Sequence, residues 1–260
     1  MDIFLTSSMG GNKQRKGVKV PCSFDRRNHF VDKLKTACGL TPRVMMICSM
    51  PDGHEVNDMY RELFEGAFVA SGFQLQELVY VDDRNPEQLD RLMDFDLIIL
   101  CGGHVPTQNA YFHSICLKQR LENWDGTIIG ISAGTMNAAE TVYAQPELEG
   151  EAADPSFVRY LSGLGLTGIN VLPHFKDVRR LSVDGYNVER QLTIPDSHRS
   201  PIVALNDGSY IHITKNSVEN HGVKSYDKYK ATVYGAAWLF DGGLKRRLCW
   251  QGRSRLLPFV

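Results

Sequence analysis

The sequence predicts an α/β protein of three layers: a mostly parallel sheet with helices on both faces, followed by extra C-terminal β-strands. Apolar strand-like runs alternate with stretches of helical spacing from residue 3 to about residue 140. Two of those runs, Val44-Met45-Met46-Ile47-Cys48 and Leu97-Ile98-Ile99-Leu100, are apolar throughout. Strands covered on both faces read this way, and helices placed between them give a parallel sheet. A third run, Thr127-Ile128-Ile129, leads into the small-residue turn Gly130-Ile131-Ser132-Ala133-Gly134.

Composition excludes several classes. Of 260 residues, 43% are hydrophobic and 23% charged, which are globular proportions, and no repeat or linker divides residues 1–260, so one domain is expected. A formal net charge of −1 gives no global attraction to nucleic acid or to an anionic membrane. The basic run within residues 13–27, Lys13-Gln14-Arg15-Lys16 with Lys19, Arg26 and Arg27, reads as a solvated loop. Six cysteines are scattered without a disulfide framework or a zinc pattern. With no signal peptide and no apolar stretch long enough to span a bilayer, the expectation is a cytoplasmic protein without metal or organic cofactor. The oligomeric state stays open, a homodimer among the options.

The elements follow in order. A strand over 3–6 ends in a Ser-, Gly- and Lys-rich loop, and a helix over 28–38 is closed by Gly39, with Pro42 beyond. After the strand at 44–48, Met59, Leu63, Phe64, Ala67 and Phe68 recur at helical spacing over 58–71, with Gly72 as terminator. A strand over 78–81 precedes Asn85-Pro86-Glu87-Gln88, an N-cap with proline at the first helical position, and Leu89, Leu92 and Met93 form the expected buried stripe. The strand at 97–100 ends in Cys101-Gly102-Gly103-His104, and a helix is expected over about 109–121. Residues 145–155, carrying Glu147, Glu149, Glu151 and Asp154, read as a mobile surface loop flanking the site. Residues 202–213 read as a hairpin around Asn206-Asp207-Gly208, and 231–234 and 238–240 as further short strands.

In a sheet of this kind ligands bind beyond the carboxyl ends of the strands, where Gly102-Gly103 and Ser132 fall. A Gly-x-Ser-x-Gly turn lifts the serine hydroxyl clear of the backbone, because its small neighbours permit the tight geometry. Serine needs a base to be nucleophilic at neutral pH, and the base needs an orienting group. Of eight histidines, His174 in Leu172-Pro173-His174-Phe175 lies just past a short apolar strand, as the serine does. A strand-end histidine can equally be a structural cap. His104 follows the glycine pair and could line the site or shape the turn. Asp207 could be the orienting acid or simply a turn former, and Asp154 is a second candidate.

Taken together, Gly102-Gly103, Gly130-Ile131-Ser132-Ala133-Gly134, Leu172-Pro173-His174-Phe175 and Leu205-Asn206-Asp207-Gly208 resemble, in order and spacing, the serine peptidases that include aspartyl dipeptidase (peptidase E) and cyanophycinase. The resemblance implies a flavodoxin-like, class I glutamine amidotransferase-like core with serine in place of the nucleophilic cysteine. It also implies Ser132 as nucleophile, His174 as base and Asp207 as acid, with the backbone N–H groups of Gly103 and Ala133 as oxyanion hole. For substrate contacts it points to His104, Thr107, Gln108 and Asn109, and to Arg190 in Asn187-Val188-Glu189-Arg190 as partner of a substrate carboxylate, though Arg190 reads equally well as a helix-surface arginine paired with a neighbouring acid. The chain departs from the dipeptidases in lacking a third glycine and Asn-Thr-Phe after the strand at 97–100. The functional expectation is a serine hydrolase, dipeptidase-like, that cleaves a small peptide or amide through an acyl-enzyme. The alternatives are a non-catalytic amidotransferase-like binder and an α/β-hydrolase-type esterase, which would need a later histidine such as His212 or His221.

Overall fold

Apolar side chains fill the strands Arg43–Ile47 and Leu97–Leu100, from Val44 and Leu97 onward, and that fixes the layering. The structure, a computed structural model, describes residues 1–220 and 223–258. The first half of the chain gives β1 (Asp2–Thr6), β2 (Gly10–Arg15), β3 (Val18–Phe24), α1 (Phe30–Cys38), β4 (Arg43–Ile47), α2 (His54–Ala70) and β5 (Glu77–Val81). A 3-10 helix (Pro86–Asp94), β6 (Leu97–Leu100), α3 (Val105–Ser114), α4 (Leu117–Leu121), β7 (Thr127–Ile131) and α5 (Ala133–Asn137) follow. Then come β8 (Thr141–Tyr143), β9 (Tyr160–Ser162), β10 (Asn170–Leu172), α6 (Phe175–Val178), β11 (Ser182–Val183), β12 (Tyr186–Asn187), a π-helix (Val188–Thr193) and α7 (Ile194–Asp196). The chain closes with β13 (Ile202–Leu205), β14 (Tyr210–Asn220), β15 (Val223–Tyr234), β16 (Ala237–Asp241), β17 (Leu244–Cys249) and β18 (Ser254–Leu256).

Eight strands form one mixed sheet in the order β18-β15-β14-β1-β7-β6-β4-β5. The run from β1 to β5 is parallel, and β14, β15 and β18 add antiparallel pairings at its other side. Val44 to Ile47 and Leu97 to Leu100 are all 0% exposed, so both faces of β4 and β6 are covered, as expected of an α/β fold. Burying each such side chain contributes about 1.5–3 kcal/mol before the entropy of ordering is charged. A second sheet, β10-β13-β16-β17, stands beside the first with its own apolar cluster around Leu172, Phe175, Ile202 and Phe240.

Several local expectations are corrected. The basic run is a β-hairpin, β2 with β3, turned by Lys16 (φ 51°) and Gly17 (φ 81°). Positive φ at both central residues is the type I′ pattern that hairpins favour. The segment 202–213 is not a hairpin: β13 pairs with β10 and β16, whereas β14 pairs with β1 and β15. Its Asn206–Ser209 turn is closed by Ser209 N–H to Asn206 C=O at 2.9 Å, but only Gly208 has positive φ (79°). A turn of that kind splays the flanking strands, and here it carries the chain from one sheet to the other.

Among the helices, α2 begins four residues earlier than its apolar spacing suggested, and Met59 on it is 37% exposed. The 86–94 segment is a 3-10 helix whose Asn85 side chain bonds back to Asp82 N–H and Tyr80 C=O instead of capping, and Met93 is 60% exposed. The helix expected over 109–121 starts at Val105, with Pro106 in its first turn, and breaks at Cys116 (φ 51°). Every cysteine is a free thiol, and no described helix is long and apolar enough to cross a membrane.

Candidate functional site

At the end of β7 the chain turns at Ser132 with φ 50° and ψ −112°, a backbone state that costs a non-glycine residue on the order of 1–3 kcal/mol. The surroundings hold it there. Ser132 N–H donates to Thr6 C=O at 3.1 Å, Thr135 Oγ1 donates to the same carbonyl at 2.8 Å, and Thr6 Oγ1 donates to Gly130 C=O at 2.8 Å. Close packing demands the flanking glycines. A Cβ on Gly134 would lie 2.1 Å from Leu100 C=O, and one on Gly130 would lie 2.6 Å from Thr135 Cα.

From the second sheet, β10 delivers His174 in the left-handed region (φ 53°), and the wholly buried Phe175 anchors it against Trp238 and Phe240. His174 Nε2 lies 2.9 Å from Ser132 Oγ, and His174 Nδ1 lies 2.7 Å from Asp207 Oδ1. An ionised carboxylate only accepts, so Nδ1 carries the proton toward Asp207 and Nε2 is left to accept from the serine. The carboxylate that reaches the histidine is therefore that of Asp207. Asp154 instead accepts from its own neighbour Ser156, through N–H and Oγ.

Ser7, just past β1 and fully buried, ties the two sheets together. Its hydroxyl donates to Asp207 Oδ1 at 2.7 Å and accepts from His174 N–H at 2.7 Å. Sequence reasoning missed it, since its partners lie 200 and 167 positions away and no local pattern marks it. Burial pulls the His174 imidazole toward lower pKa, but the hydrogen bond and charge of Asp207, with Glu147 and Asp177 adding, more than offset this and raise it above the ordinary histidine value. Burial likewise pushes the Asp207 carboxyl up, and the hydrogen bonds from His174 and Ser7 outweigh it, so that pKa is lowered. Both side chains touch solvent, at 37% and 49% exposure, which screens the pair.

Facing Ser132, Gly102 C=O accepts from Ser49 Oγ at 2.6 Å. In a planar trans peptide the next N–H points the opposite way, so Gly103 N–H is directed away from Ser49. A Cβ on Gly103 would sit 2.2 Å from Ser49 Oγ, so only glycine allows this approach. Ser132, His174, Gly102 and Gly103 open onto a cleft of about 440 Å³. Its far wall is built from Met50, Val56, Tyr60, Phe64 and Tyr80, and Gly10 and Asn12 of the hairpin close one side.

The residues marked for substrate contact divide. His104 stands at the start of α3 without capping it by its side chain; its Nδ1 lies 2.8 Å from Thr107 Oγ1 and its Nε2 2.7 Å from Glu151 Oε1, so His104 and Thr107 pin the acidic segment to the fold. Glu151 also accepts from the N–H groups of Glu147 and Leu148, and Asp184 accepts from those of Gly150, Ala152 and Ala153; these bonds tie down a segment read as a mobile loop. Gln108 and Asn109 lie within α3, buried. Gln108 donates to Cys101 C=O, and Asn109 donates to Asn137 Oδ1 and Ser162 C=O, so neither is among the cleft residues. Arg190 is exposed on the π-helix, also outside the cleft lining. His212 stacks on Phe4 and pairs with Asp2, leaving the esterase alternative without that histidine, and His221 lies outside the described residues. For a metal, His54, Asp82 and Asp83 bring possible ligand atoms within 4.8 Å, yet Asp82 is already engaged by Arg84 and Asn57.

A mixed α/β sheet with a serine, a histidine and a carboxylate in hydrogen-bond sequence at its strand ends has the build of a serine hydrolase. The chain belongs to peptidase family S51, a serine peptidase family whose model it matches over residues 23–221. Among solved structures it resembles a proposed peptidase E protein of Listeria monocytogenes EGD-e, with a TM-score of 0.52 and 14% identity, over 95% of this chain and 98% of that one. At that identity the likeness speaks for the fold. No curated protein matches the chain.

Proposed function

We propose that this serine peptidase cleaves an amide bond in a small, dipeptide-like substrate through an acyl-enzyme formed on Ser132. The observation that carries the reading is the hydrogen-bond sequence Ser132–His174–Asp207, at 2.9 and 2.7 Å. His174 Nε2 takes the hydroxyl proton as Ser132 Oγ attacks the carbonyl carbon, and Asp207 stabilises the imidazolium that forms. The oxyanion meets the N–H groups of Gly103 and Ala133, each such donor contributing on the order of 3 kcal/mol. The C–N bond then breaks, and the leaving amine takes the proton from His174. Water, deprotonated by the same nitrogen, releases the acid. A cleft of about 440 Å³, walled by the hairpin and α2, suits a substrate of a few residues better than a protein chain.

Ser132→Ala tests this reading. Hydrolysis of a dipeptide library should fall by about 10⁶ in kcat, and labelling by a fluorophosphonate should vanish, while circular dichroism stays that of the parent. Full activity in the variant, or no labelling of the folded parent, refutes the assignment.

A further inference from the structure

The cleft extends to both sides of Ser132. Along the carboxyl edge of the eight-stranded sheet, the order β1-β7-β6-β4-β5 places Ser7, Ser132, Gly102-Gly103, Ser49-Met50 and then the end of β5 in sequence. His174 is bonded to Ser7, so the imidazole stands toward β1. Ser7, Ser8 and Met9 line the open volume on that side, and on the other side it runs past Gly103 toward Tyr80, along Val56, Tyr60 and Phe64 of α2. In acyl transfer the leaving amine must be near the imidazole that protonates it, and the carbonyl oxygen near the oxyanion donors. The part of the substrate that stays on the serine therefore extends toward Gly103 and the stretch of the cleft along α2.

Past Gly103 the wall of this volume is neutral. Among the described residues lining it there is no Asp, Glu, Lys or Arg. Charges behind lining side chains on the α2 side are already engaged: Lys19 Nζ donates to Tyr60 Oη at 2.7 Å, and Asp82 accepts from Asn57 Nδ2 at 3.1 Å, while Asp207 stands at the opposite end, bonded to Ser7 and His174. Asp82 is itself matched by Arg84. A substrate carboxylate pushed into such a volume would lose water without gaining a cation, whereas an apolar or aromatic side chain gains by leaving water.

We infer that the stretch of the cleft past Gly103, along α2, is the specificity pocket for the acyl residue of the substrate, and that it selects an uncharged apolar or aromatic side chain over an acidic one. This rests on the reading of Ser132 as nucleophile. The test uses diphenyl α-aminoalkylphosphonates bearing the side chain of phenylalanine, leucine or aspartate, with a simple fluorophosphonate as reference. Ser132 Oγ bonds to phosphorus and phenoxide departs with the proton, so the labelling rate reads acyl-side preference without needing turnover. The phenylalanine and leucine probes should label the full-length protein at least tenfold faster than the aspartate probe. In Val56→Arg, at a position 44% exposed and thus able to hold a guanidinium, the ratio should shift at least tenfold toward aspartate, with the melting temperature reporting folding. Equal or faster labelling by the aspartate probe in the parent, or an unchanged ratio in the folded variant, overturns the pocket assignment and leaves the nucleophile standing. Loss of labelling by every probe, the fluorophosphonate included, overturns the nucleophile and the pocket with it.

Discussion

Ser132 and Gly103 follow β7 and β6, strands whose neighbours on both sides belong to one deeply buried parallel array. His174 and Asp207 follow β10 and β13, strands of three and four residues in the smaller sheet. The first pair stands on a core that runs through the eight-stranded sheet and its helices. The second stands on a modest cluster around Phe175 and is tied across to the first by Ser7, with Asn28 Nδ2 donating to Gly208 C=O and Tyr210 Oη donating to Asn28 C=O. Alignment of His174 with Ser132 is thus a matter of how two sheets sit against each other. It should be the more easily disturbed half of the site.

Asp207→Asn should have the largest effect on that half. The amide accepts at one atom only and invites the wrong tautomer, so kcat should fall by about 10⁴. Because Asp207 holds the His174 pKa up, the acid limb of the residual activity should move to lower pH in a steady-state pH profile. In the parent, activity requires neutral His174 and should be lost as pH falls through a value above the usual ~6.5 of histidine.

Phe175→Ala, next in size, should cost about 3–5 kcal/mol by cavity formation. It should also lower kcat beyond what the unfolded fraction explains, since Phe175 anchors His174. Leu34→Ala, a buried position on α1 in the main core, should cost 2–5 kcal/mol with kcat per folded molecule unchanged. Equal losses of kcat per folded molecule in the two variants, measured by denaturant titration and kinetics together, would erase the contrast between the sheets.

Ser7→Ala removes a buried donor to a carboxylate, worth about 1.5–3 kcal/mol, so kcat should drop roughly 10- to 100-fold with KM nearly constant. Ser7→Thr, which keeps the hydroxyl, should restore part of it. The smallest effect is on stability. The raised His174 pKa stabilises the fold at low pH and ceases to as pH rises through it, and the lowered Asp207 pKa stabilises above the ordinary carboxyl range and ceases to as pH falls through it. A shallow maximum of melting temperature between about pH 4 and 6.5 should flatten in Asp207→Asn.

The same division governs what could be read from the sequence. β4, β6 and β7 declare themselves as continuous apolar runs, and the elbow follows because Gly130 and Gly134 are required by contacts within the same unit. β10 and β13 are too short to show a period, and the Asp207 turn, read locally, resembles a hairpin. Only the destination of its strands, set by contacts with β1, β10, β15 and β16, separates the two sheets. The hairpin of β2 and β3 was hidden because long basic side chains, such as Lys19 lying over Tyr60, replace the apolar alternation of an ordinary strand. The start of α3 was hidden because Gly102-Gly103-His104-Val105-Pro106 reads as a loop until the bond from Gln108 N–H to His104 C=O is seen to open the helix. Gln108 and Asn109 then go to the interior.

The bridge from Ser7 to Asp207 spans 200 positions, and that sets a timetable. Chains emerge from the ribosome N-terminal end first. A nascent chain that stops short of His174 holds the serine and both proposed backbone donors but neither base nor acid. The orienting bonds form only when residues near 207 have emerged and the end of β1 is within their reach. Until then Ser132 stands without the histidine and the carboxylate that complete its hydrogen-bond sequence in the finished fold.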